Sequence, residues 1–213
     1  MQLDRKNMIL YAVTDRSWLN GSTLAQYVEK ALAGGVTMIQ LREKSLNDEQ
    51  YIKEAIEIKK VCQKYNVPLI INDNINVAIK SGADGVHVGQ DDTDVALLRK
   101  KYNYKGIIGA TAHSVTEAIE AEKSGADYLG VGAIFTTSTK SNTIPITYDI
   151  LKDVCSSVTI PVCAIGGISS SNILSLKGSG VDGFAVVSAV FACKDIKRQT
   201  QTLKEKAIVA IGK

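Results

Sequence analysis

Two cationic side chains are spaced so that they face the same way. Arg42 and Lys44 alternate with Leu41 and Glu43 at the end of an apolar run, and alternate residues of an extended segment point to the same side. A guanidinium binds phosphate oxygens as a fork, and an ammonium acts as a mobile point charge. The pair therefore suits an anion such as a diphosphate. The alternative is that one of these cations pairs with Glu43 or with an acid on the next loop.

Two carboxylates, Asp73 and Asp92, follow the next two apolar runs. If those runs are neighbouring strands of one parallel sheet, the two side chains lie close together. Mg²⁺ typically takes one or two carboxylates plus phosphate oxygens, so a magnesium ion would reconcile two acids with two facing cations. The alternatives are a turn cap at Asp73 and a helix N-cap at Asp92.

Three later segments suit a phosphate group. The run Thr136-Thr137-Ser138-Thr139-Lys140 opens a long segment that reaches Pro145; its hydroxyls and a third cation favour a lid over a phosphate, and a flexible polar loop is the alternative. Gly166-Gly167 and Val187-Ser188 end two further apolar runs, where backbone N–H groups commonly bind phosphate. A tight turn explains Gly-Gly equally well.

The two histidines of the chain are acid/base candidates by residue type. His87 lies inside an apolar run, where it points either into the barrel or against a helix, and a packed structural role is favoured. His113 either caps the helix that follows it or touches a substrate. The sequence has no Ser/His/Asp order, zinc-ligand spacing or Walker-type loop.

These candidates share a position, because almost every apolar run in the chain stops at a polar cluster. In an eight-stranded parallel barrel all strand ends open on one face, so scattered polar residues converge on one pocket. The pattern therefore predicts a single (β/α)8 TIM barrel of the α/β class. The runs cover residues 9–13, 38–41, 69–71, 86–88, 107–108, 131–135, 162–165 and 184–187.

Helical segments with capping residues lie between the runs, for example 23–33, 47–65, 114–123 and 148–156. A recurring phrase precedes the even-numbered strands and ends in Thr37, Asp84, Asp127 and Asp182. Its glycine suits a helix C-cap, and we interpret its Asp residues as structural groups on the opposite face of the barrel. The competing topology, an open doubly wound sheet, needs a glycine-rich loop where this chain has Thr14-Asp15-Arg16.

The composition sets broad limits. With 213 residues, 45% of them hydrophobic, the chain fits one barrel domain over residues 1–213. No stretch reaches the roughly 18 apolar residues of a membrane helix, and no signal-peptide segment is evident, so we expect a cytoplasmic protein. A net charge of +3, without aromatic residues among the basic clusters, argues against nucleic-acid binding. The sequence leaves a homo-oligomer open.

The combination of motifs resembles the thiamine phosphate synthase family over nearly the whole chain. The resemblance rests on the segments YAVTD at 11–15, IQLREK at 39–44, NDN at 72–74, GVHVGQDD at 85–92, TSTK at 137–140 and AIGGI at 164–168. It implies an Mg²⁺-dependent transferase of thiamine biosynthesis. That enzyme would move the hydroxymethylpyrimidine group from its diphosphate to the nitrogen of a thiazole phosphate, releasing pyrophosphate through a dissociative displacement without a protein nucleophile.

The resemblance also implies roles for individual residues. Asp73 and Asp92 would bind Mg²⁺, and Arg42, Lys44, Lys140 and Thr111 would contribute most to catalysis. Thr111 stands where the family usually has serine, so the hydroxyl is kept and a methyl is added. The pyrimidine diphosphate would contact Gln40, Arg42, Lys44, Asn72 and Lys140, and the thiazole phosphate would contact Thr137, Ser138, Thr139, Gly167, Val187 and Ser188. Leu41, Glu43 and Thr111 would also contact substrate.

Two other functions remain open at this stage. A thiazole tautomerase shares the barrel and would use His113 as its acid/base residue, but it has little need for the Arg42/Lys44 and Asp73/Asp92 pairs. A non-catalytic barrel that senses a phosphorylated metabolite would bind its ligand without a metal and without turnover.

Overall fold

Eight parallel strands form a closed barrel in the computed structural model, which describes residues 3–19, 21–90, 92–137 and 145–212. Each strand pairs with the next along the chain, and the last pairs with the first. The predicted (β/α)8 fold is therefore confirmed. The strands are β1 (Leu10–Val13), β2 (Met38–Leu41), β3 (Leu69–Asn72), β4 (Gly85–Val88), β5 (Ile107–Ala112), β6 (Tyr128–Val131), β7 (Val162–Ile165) and β8 (Gly183–Val186).

Helices surround this barrel and begin where their capping residues predict. Thr23 and Asn47 each accept a hydrogen bond from the backbone of a glutamine three residues later, whose side chain bonds back to the cap. The connection from β7 to β8 is a short 3₁₀ helix, Ile173–Leu176. The α-helices are α1 (Leu24–Ala33), α2 (Asp48–Lys64), α3 (Ile75–Ser81), α4 (Val95–Lys100), α5 (Val115–Ser124), α6 (Tyr148–Ser157), α7 (Ser188–Phe191) and α8 (Ile196–Ala210).

The core has two parts, because each barrel strand has an inner and an outer face. The larger part lies between strands and helices and contains most of the buried Leu, Ile and Val side chains. A smaller part fills the barrel lumen, where polar aromatic and sulfur-containing side chains replace much of the aliphatic packing. Its members are Met8, Tyr11, Met38, Ile70, Ile107, Tyr128, Cys163 and Ala185.

The sixth strand lies earlier than its apolar run predicts. The run at residues 131–135 overlaps β6 only at Val131, and the segment after it makes a cis peptide bond between Gly132 and Ala133. Phe135 then donates its backbone N–H to the carbonyl of Gly166, 3.0 Å away. The apolar side chains of this run therefore belong to a loop that packs against the β7 turn.

The three Asp residues of the recurring phrase are structural, as the sequence indicates. Each carboxylate accepts the backbone N–H of a residue at the beginning of the preceding odd-numbered strand and also pairs with a cation. The cations are Lys59 for Asp84, Arg99 for Asp127 and Arg5 for Asp182. These contacts lie at the ends where the strands begin, away from the polar strand ends.

Replacing Asp84 with alanine should lower the free energy of unfolding by about 2–4 kcal/mol, because the Leu69 N–H and the Lys59 ammonium both lose a partially buried partner. The side chains of Asp84 and Lys59 are only 11% and 14% exposed. Urea unfolding measures the effect. Glu49→Ala breaks an ion pair whose side chains are 80% and 73% exposed, so it should change stability by less than about 0.5 kcal/mol. Equal effects of the two variants would contradict this role.

In the described ranges, no helix combines the length and the apolar character needed to cross a membrane. The extent of the predicted domain, residues 1–213, stays a prediction.

Candidate functional site

An open pocket of about 230 Å³ lies at the ends of the barrel strands that carry the polar clusters. Most of the residues that the sequence singles out meet there. The side chain of Leu41 is instead buried in the outer core, and Ser138, Thr139 and Lys140 lie outside the described residues. The predicted site residues that line the pocket are Gln40, Arg42, Lys44, Asn72, Asp73, Asp92, Thr111, Thr137, Gly167, Val187 and Ser188.

Arg42 and Lys44 face the pocket as their alternation predicts, and Glu43 does not. The Glu43 side chain is only 2% exposed and accepts hydrogen bonds from Arg16 Nε at 2.8 Å. Arg16 also pairs with Glu54 of α2. Among the described acids, none forms an ion pair with Arg42 or Lys44, so both positive charges are available to an anion. The placement of Glu43 among residues that bind substrate is thus not supported by its geometry.

Arg16 is a residue that the sequence reasoning missed as a contributor to this site. It follows β1 in the Thr14-Asp15-Arg16 cluster. The sequence shows the position of this cluster but not the contacts of Arg16 with Glu43 and Glu54. Thr14 also holds this segment in place, because its Oγ1 accepts the backbone N–H of Arg42 at 3.0 Å. The end of β1 therefore fixes the backbone and the charge environment of the segment that carries the two pocket cations.

Asp73 and Asp92 are close enough to influence each other. Asp73 adopts a left-handed φ of 62°, rare for a residue with a side chain, while its N–H extends the sheet by donating to the His87 carbonyl at 2.8 Å. Asp92 Oδ2 accepts the N–H of Gly89 at 2.8 Å. Partial burial in the pocket raises the pKa of Asp73 from 3.8 to about 7, and a hydrogen bond and negative charge from Asp92 act in the same direction.

This carboxylate pair fits a magnesium ion. Both groups offer hard oxygen donors, and their mutual repulsion is relieved by a divalent cation. Within the described ranges no cluster of three or more His, Cys, Asp or Glu residues could hold a metal. A magnesium ion held by two carboxylates would have most of its coordination positions open to water and substrate oxygens, which is the usual arrangement for magnesium with a phosphate ligand.

Without metal, the protein should lose stability as the pH rises from about 4 to about 7. In that window the raised pKa of Asp73 lets the folded state hold a proton that the unfolded chain has released, so the folded state becomes relatively less stable as that proton leaves. Urea unfolding at pH 5 and pH 7.5 checks this. Asp73→Asn, which tolerates the left-handed backbone, should reduce the pH dependence; an unchanged dependence would contradict it.

The opposite side of the pocket is made of backbone. Gly166 and Gly167 have φ values of 102° and 62°, and a Cβ on Gly167 would lie 2.4 Å from the carbonyl oxygen of Thr136. Asn172, which sequence reasoning also missed, donates from Nδ2 to the Gly167 carbonyl at 2.9 Å. The N-cap of α7, Val187, has no side-chain capping bond, so first-turn N–H groups remain available to an anion.

A chain of hydrogen bonds runs across the lumen beneath the pocket. Gln40 Nε2 donates to Tyr11 Oη at 2.6 Å, which lies 2.8 Å from Tyr128 Oη. Tyr128 Oη is 3.0 Å from His87 Nδ1, and His87 Nε2 is 3.1 Å from Thr111 Oγ1. His87 therefore points into the barrel, the first of the two orientations that its strand position allows. The tyrosines were missed, although both occupy barrel strands.

His113 also lines the pocket and is bonded to the helix that follows it. Glu117 Oε2 accepts the His113 backbone N–H at 2.8 Å and lies 3.0 Å from its Nδ1. The histidine is thus held by the first turn of α5, with part of its ring at the pocket wall.

Cations at β2, carboxylates after β3 and β4, and open backbone groups after β7 and β8 define a phosphate-handling (β/α)8 enzyme. A family model described as thiamine monophosphate synthase matches residues 10–190. The chain belongs to this family.

Individual relatives agree over nearly the full length. The chain is 48% identical over 196 residues to thiamine-phosphate synthase of Ruminiclostridium cellulolyticum, covering 92% of this chain and 93% of the relative. It is 47% identical over 198 residues to that of Clostridium novyi, covering 92% and 97%. The structure of thiamine phosphate pyrophosphorylase from Pyrococcus furiosus superposes with a TM-score of 0.89 at 35% identity, covering 98% and 99%.

The predictions of the family, of a transferase and of thiamine phosphate synthesis are therefore confirmed. The tautomerase alternative receives no support from these relatives.

Proposed function

We propose that the pocket joins a hydroxymethylpyrimidine diphosphate to a thiazole phosphate, giving thiamine phosphate and pyrophosphate. The observation that supports the proposal is that one pocket contains two groups of residues that suit an anion. One lies at β2 to β4 and combines cations with carboxylates, and the other lies at β7 and β8 and is built from backbone. An isomerase acting on one monophosphate would need only the second region.

The diphosphate belongs at the cationic region. Arg42 and Lys44 line the pocket and would neutralise the negative charge of the diphosphate oxygens, and Asn72 lines the same wall. Lys140 is proposed as a third cation and lies outside the described residues. These groups favour departure of pyrophosphate by binding the charge that builds up on it, so catalysis rests on positioning and electrostatics.

Magnesium is proposed at Asp73 and Asp92. When bound, it would supply positive charge to the oxygens of the departing pyrophosphate. Asp73 reaches the pocket through its left-handed backbone, and Asp92 is held by the Gly89 N–H.

The thiazole phosphate belongs at the backbone region. Gly167, Val187 and Ser188 lie along this wall with Thr137 beside them, and the proposed contacts of Ser138 and Thr139 fall outside the described residues. This placement leaves the thiazole ring directed toward the middle of the pocket, where the pyrimidine methylene would be released from its diphosphate.

The first test supplies purified protein with both substrates and Mg²⁺ and follows thiamine phosphate and pyrophosphate together. We expect matched formation of both products, abolished by a chelator and restored by added Mg²⁺. Folded protein that forms neither product would refute the proposed reaction. Activity that persists with chelator would refute the role of the metal.

Gly167→Ala should raise the KM for thiazole phosphate about tenfold or more, because the added methyl meets the Thr136 carbonyl and displaces the turn that binds the phosphate. Gly82→Ala is the matched control: Gly82 has a similar φ of 67°, but a Cβ there meets nothing within 4 Å. Both variants should lose about 1 kcal/mol of stability from backbone strain, and Gly167→Ala should lose more because of the collision with the Thr136 carbonyl. A raised KM in both, or in neither, would argue against this phosphate site.

A further inference from the structure

We infer that the lumen relay, defined as Gln40, Tyr11, Tyr128, His87 and Thr111, has one fixed direction and sets which hydrogen-bonding atoms the pocket presents. Tyr11, Tyr128 and His87 act as positioning residues, and Gln40 and Thr111 touch the substrate. The relay stands on the hydrogen-bond geometry alone. The substrate contacts of Gln40 and Thr111 and the identity of the ring that they recognise rest on the proposed function.

The direction follows from counting protons along the relay. Gln40 Nε2 can only donate, so Tyr11 Oη accepts from it. The single Tyr11 hydroxyl proton is then donated to Tyr128 Oη, and the Tyr128 proton to His87 Nδ1. A neutral His87 that accepts at Nδ1 carries its own proton at Nε2, which it donates to Thr111 Oγ1. The Thr111 hydroxyl proton is left to point into the pocket.

Burial keeps both phenols in the state that this count requires. Tyr11 and Tyr128 are 2% and 0% exposed. Burial raises the pKa of each hydroxyl well above its ordinary value, so neither loses its proton at any pH at which the enzyme works. Each phenol therefore contributes one donor and accepts one bond, and neither phenol is ionised at a point where the direction of the relay could reverse.

Two glycines provide the space for the relay. A Cβ on Gly109 of β5 would lie 2.4 Å from His87 Nδ1 and 2.1 Å from Tyr128 Cζ. A Cβ on Gly130 of β6 would lie 3.2 Å from His87 Cε1. Any larger residue at 109 would occupy the place where the Tyr128 hydroxyl meets the imidazole. The glycines of β5 and β6 thus leave room for this contact.

The fixed direction gives the pocket a defined polarity. Because Gln40 turns its amide nitrogen toward Tyr11, its carbonyl oxygen is presented as an acceptor, while Thr111 is presented as a donor. An acceptor and a donor together suit a nitrogen heterocycle that carries an amino group, because the amino group donates to the Gln40 carbonyl and a ring nitrogen accepts from the Thr111 hydroxyl. An aminopyrimidine presents this combination of groups along one edge. Because threonine is β-branched, rotation of the Thr111 side chain about χ1 is restricted, which further limits the positions of its hydroxyl group.

The tautomer of His87 tests the relay without any turnover. Nitrogen-15 NMR of histidine-labelled protein at mildly alkaline pH reports which ring nitrogen is protonated, and the sequence has only two histidines, so His113→Gln assigns the signals. We expect His87 to be protonated at Nε2 alone. Protonation at Nδ1 would mean that the relay runs in the opposite direction, with a Gln40 amide donor facing the pocket, and would overturn the inference.

Breaking the relay should have a selective kinetic effect. Tyr128→Phe removes the donor to His87 Nδ1, and Tyr11→Phe breaks the relay one bond earlier if the first variant folds poorly. In either variant we expect a mixture of His87 tautomers and a loss of about tenfold in kcat/KM for the pyrimidine diphosphate, the size of one net hydrogen bond. The KM for thiazole phosphate should not change.

Tyr104→Phe is the matched control, since its buried hydroxyl makes no hydrogen bond with any described residue. It should leave the His87 tautomer and both KM values as in the wild type. Equal losses in Tyr104→Phe and Tyr128→Phe, or a Tyr128→Phe enzyme with wild-type kinetics, would overturn the inference. If the wild type makes no thiamine phosphate, the proposed function fails, and the NMR result still decides the direction of the relay.

Discussion

Asp92→Asn should abolish magnesium-dependent turnover while the protein remains folded. Asparagine keeps the shape of the side chain and can still accept the Gly89 N–H through its carbonyl oxygen. It removes one of the two negative charges that we propose bind the metal. We expect a fall of about a thousandfold in turnover, about 4 kcal/mol, which is typical of removing one member of an enclosed charge pair.

Asp94→Asn provides the control for this variant. Asp94 lies two residues further along and caps α4, accepting backbone N–H groups of Ala96 and Leu97. Asparagine is an equally good N-cap, so Asp94→Asn should keep full turnover. Melting curves with and without Mg²⁺ complete the test, because the ion should stabilise the wild type and not Asp92→Asn. Normal activity in Asp92→Asn would remove this residue from the metal site.

Arg42→Gln should produce the second largest loss, in binding of the pyrimidine diphosphate. No described acid forms an ion pair with Arg42, and we propose that its charge binds the ligand, so the lost forked contact should cost about 2–4 kcal/mol. That corresponds to a decrease of about thirtyfold to a thousandfold in kcat/KM. Steady-state kinetics with each substrate varied in turn measures it.

The comparison variant for Arg42 is Lys53→Gln, which also removes one positive charge. Lys53 lies on α2 with its side chain 73% exposed and pairs only with Glu49 among the described acids. It should leave the kinetics unchanged, since a distant surface charge is screened by salt. An equal loss in Lys53→Gln would show that overall charge, and not the pocket contact, governs binding.

The sequence predicts the fold well because a parallel barrel repeats one simple rule. Each strand ends at a polar cluster, and the Asp at the start of the even strands marks the other face. The prediction of a strand at residues 131–135 is wrong, because only Val131 of this apolar run belongs to β6. The strand instead begins at Tyr128, whose ring packs in the barrel lumen. Apolar composition alone does not show whether a residue packs inside the barrel or in a loop outside the strand.

The site was harder to predict because side-chain partners come from strands that are distant in sequence. Alternation correctly separates Arg42 and Lys44 from their neighbours. It does not reveal that Arg16, from another strand, captures Glu43. The hydroxyls of Tyr11 and Tyr128 come from strands more than a hundred residues apart, and only closure of the barrel brings them within hydrogen-bonding distance.

The bonds at the base of the barrel also divide the chain into quarters. Thr37 Oγ1 accepts the Leu10 N–H, just as Asp84, Asp127 and Asp182 accept the N–H of Leu69, Ile108 and Val162. In all four cases the backbone N–H of the accepting residue bonds back to the carbonyl of the same partner. Each two-stranded unit thus has one such reciprocal pair of hydrogen bonds, and among the described residues no equivalent reciprocal pair joins one unit to the next. The end of the barrel where the strands begin thus repeats the same contact four times, as expected of an assembly of duplicated two-stranded units. The residues at the pocket end can differ from one unit to the next.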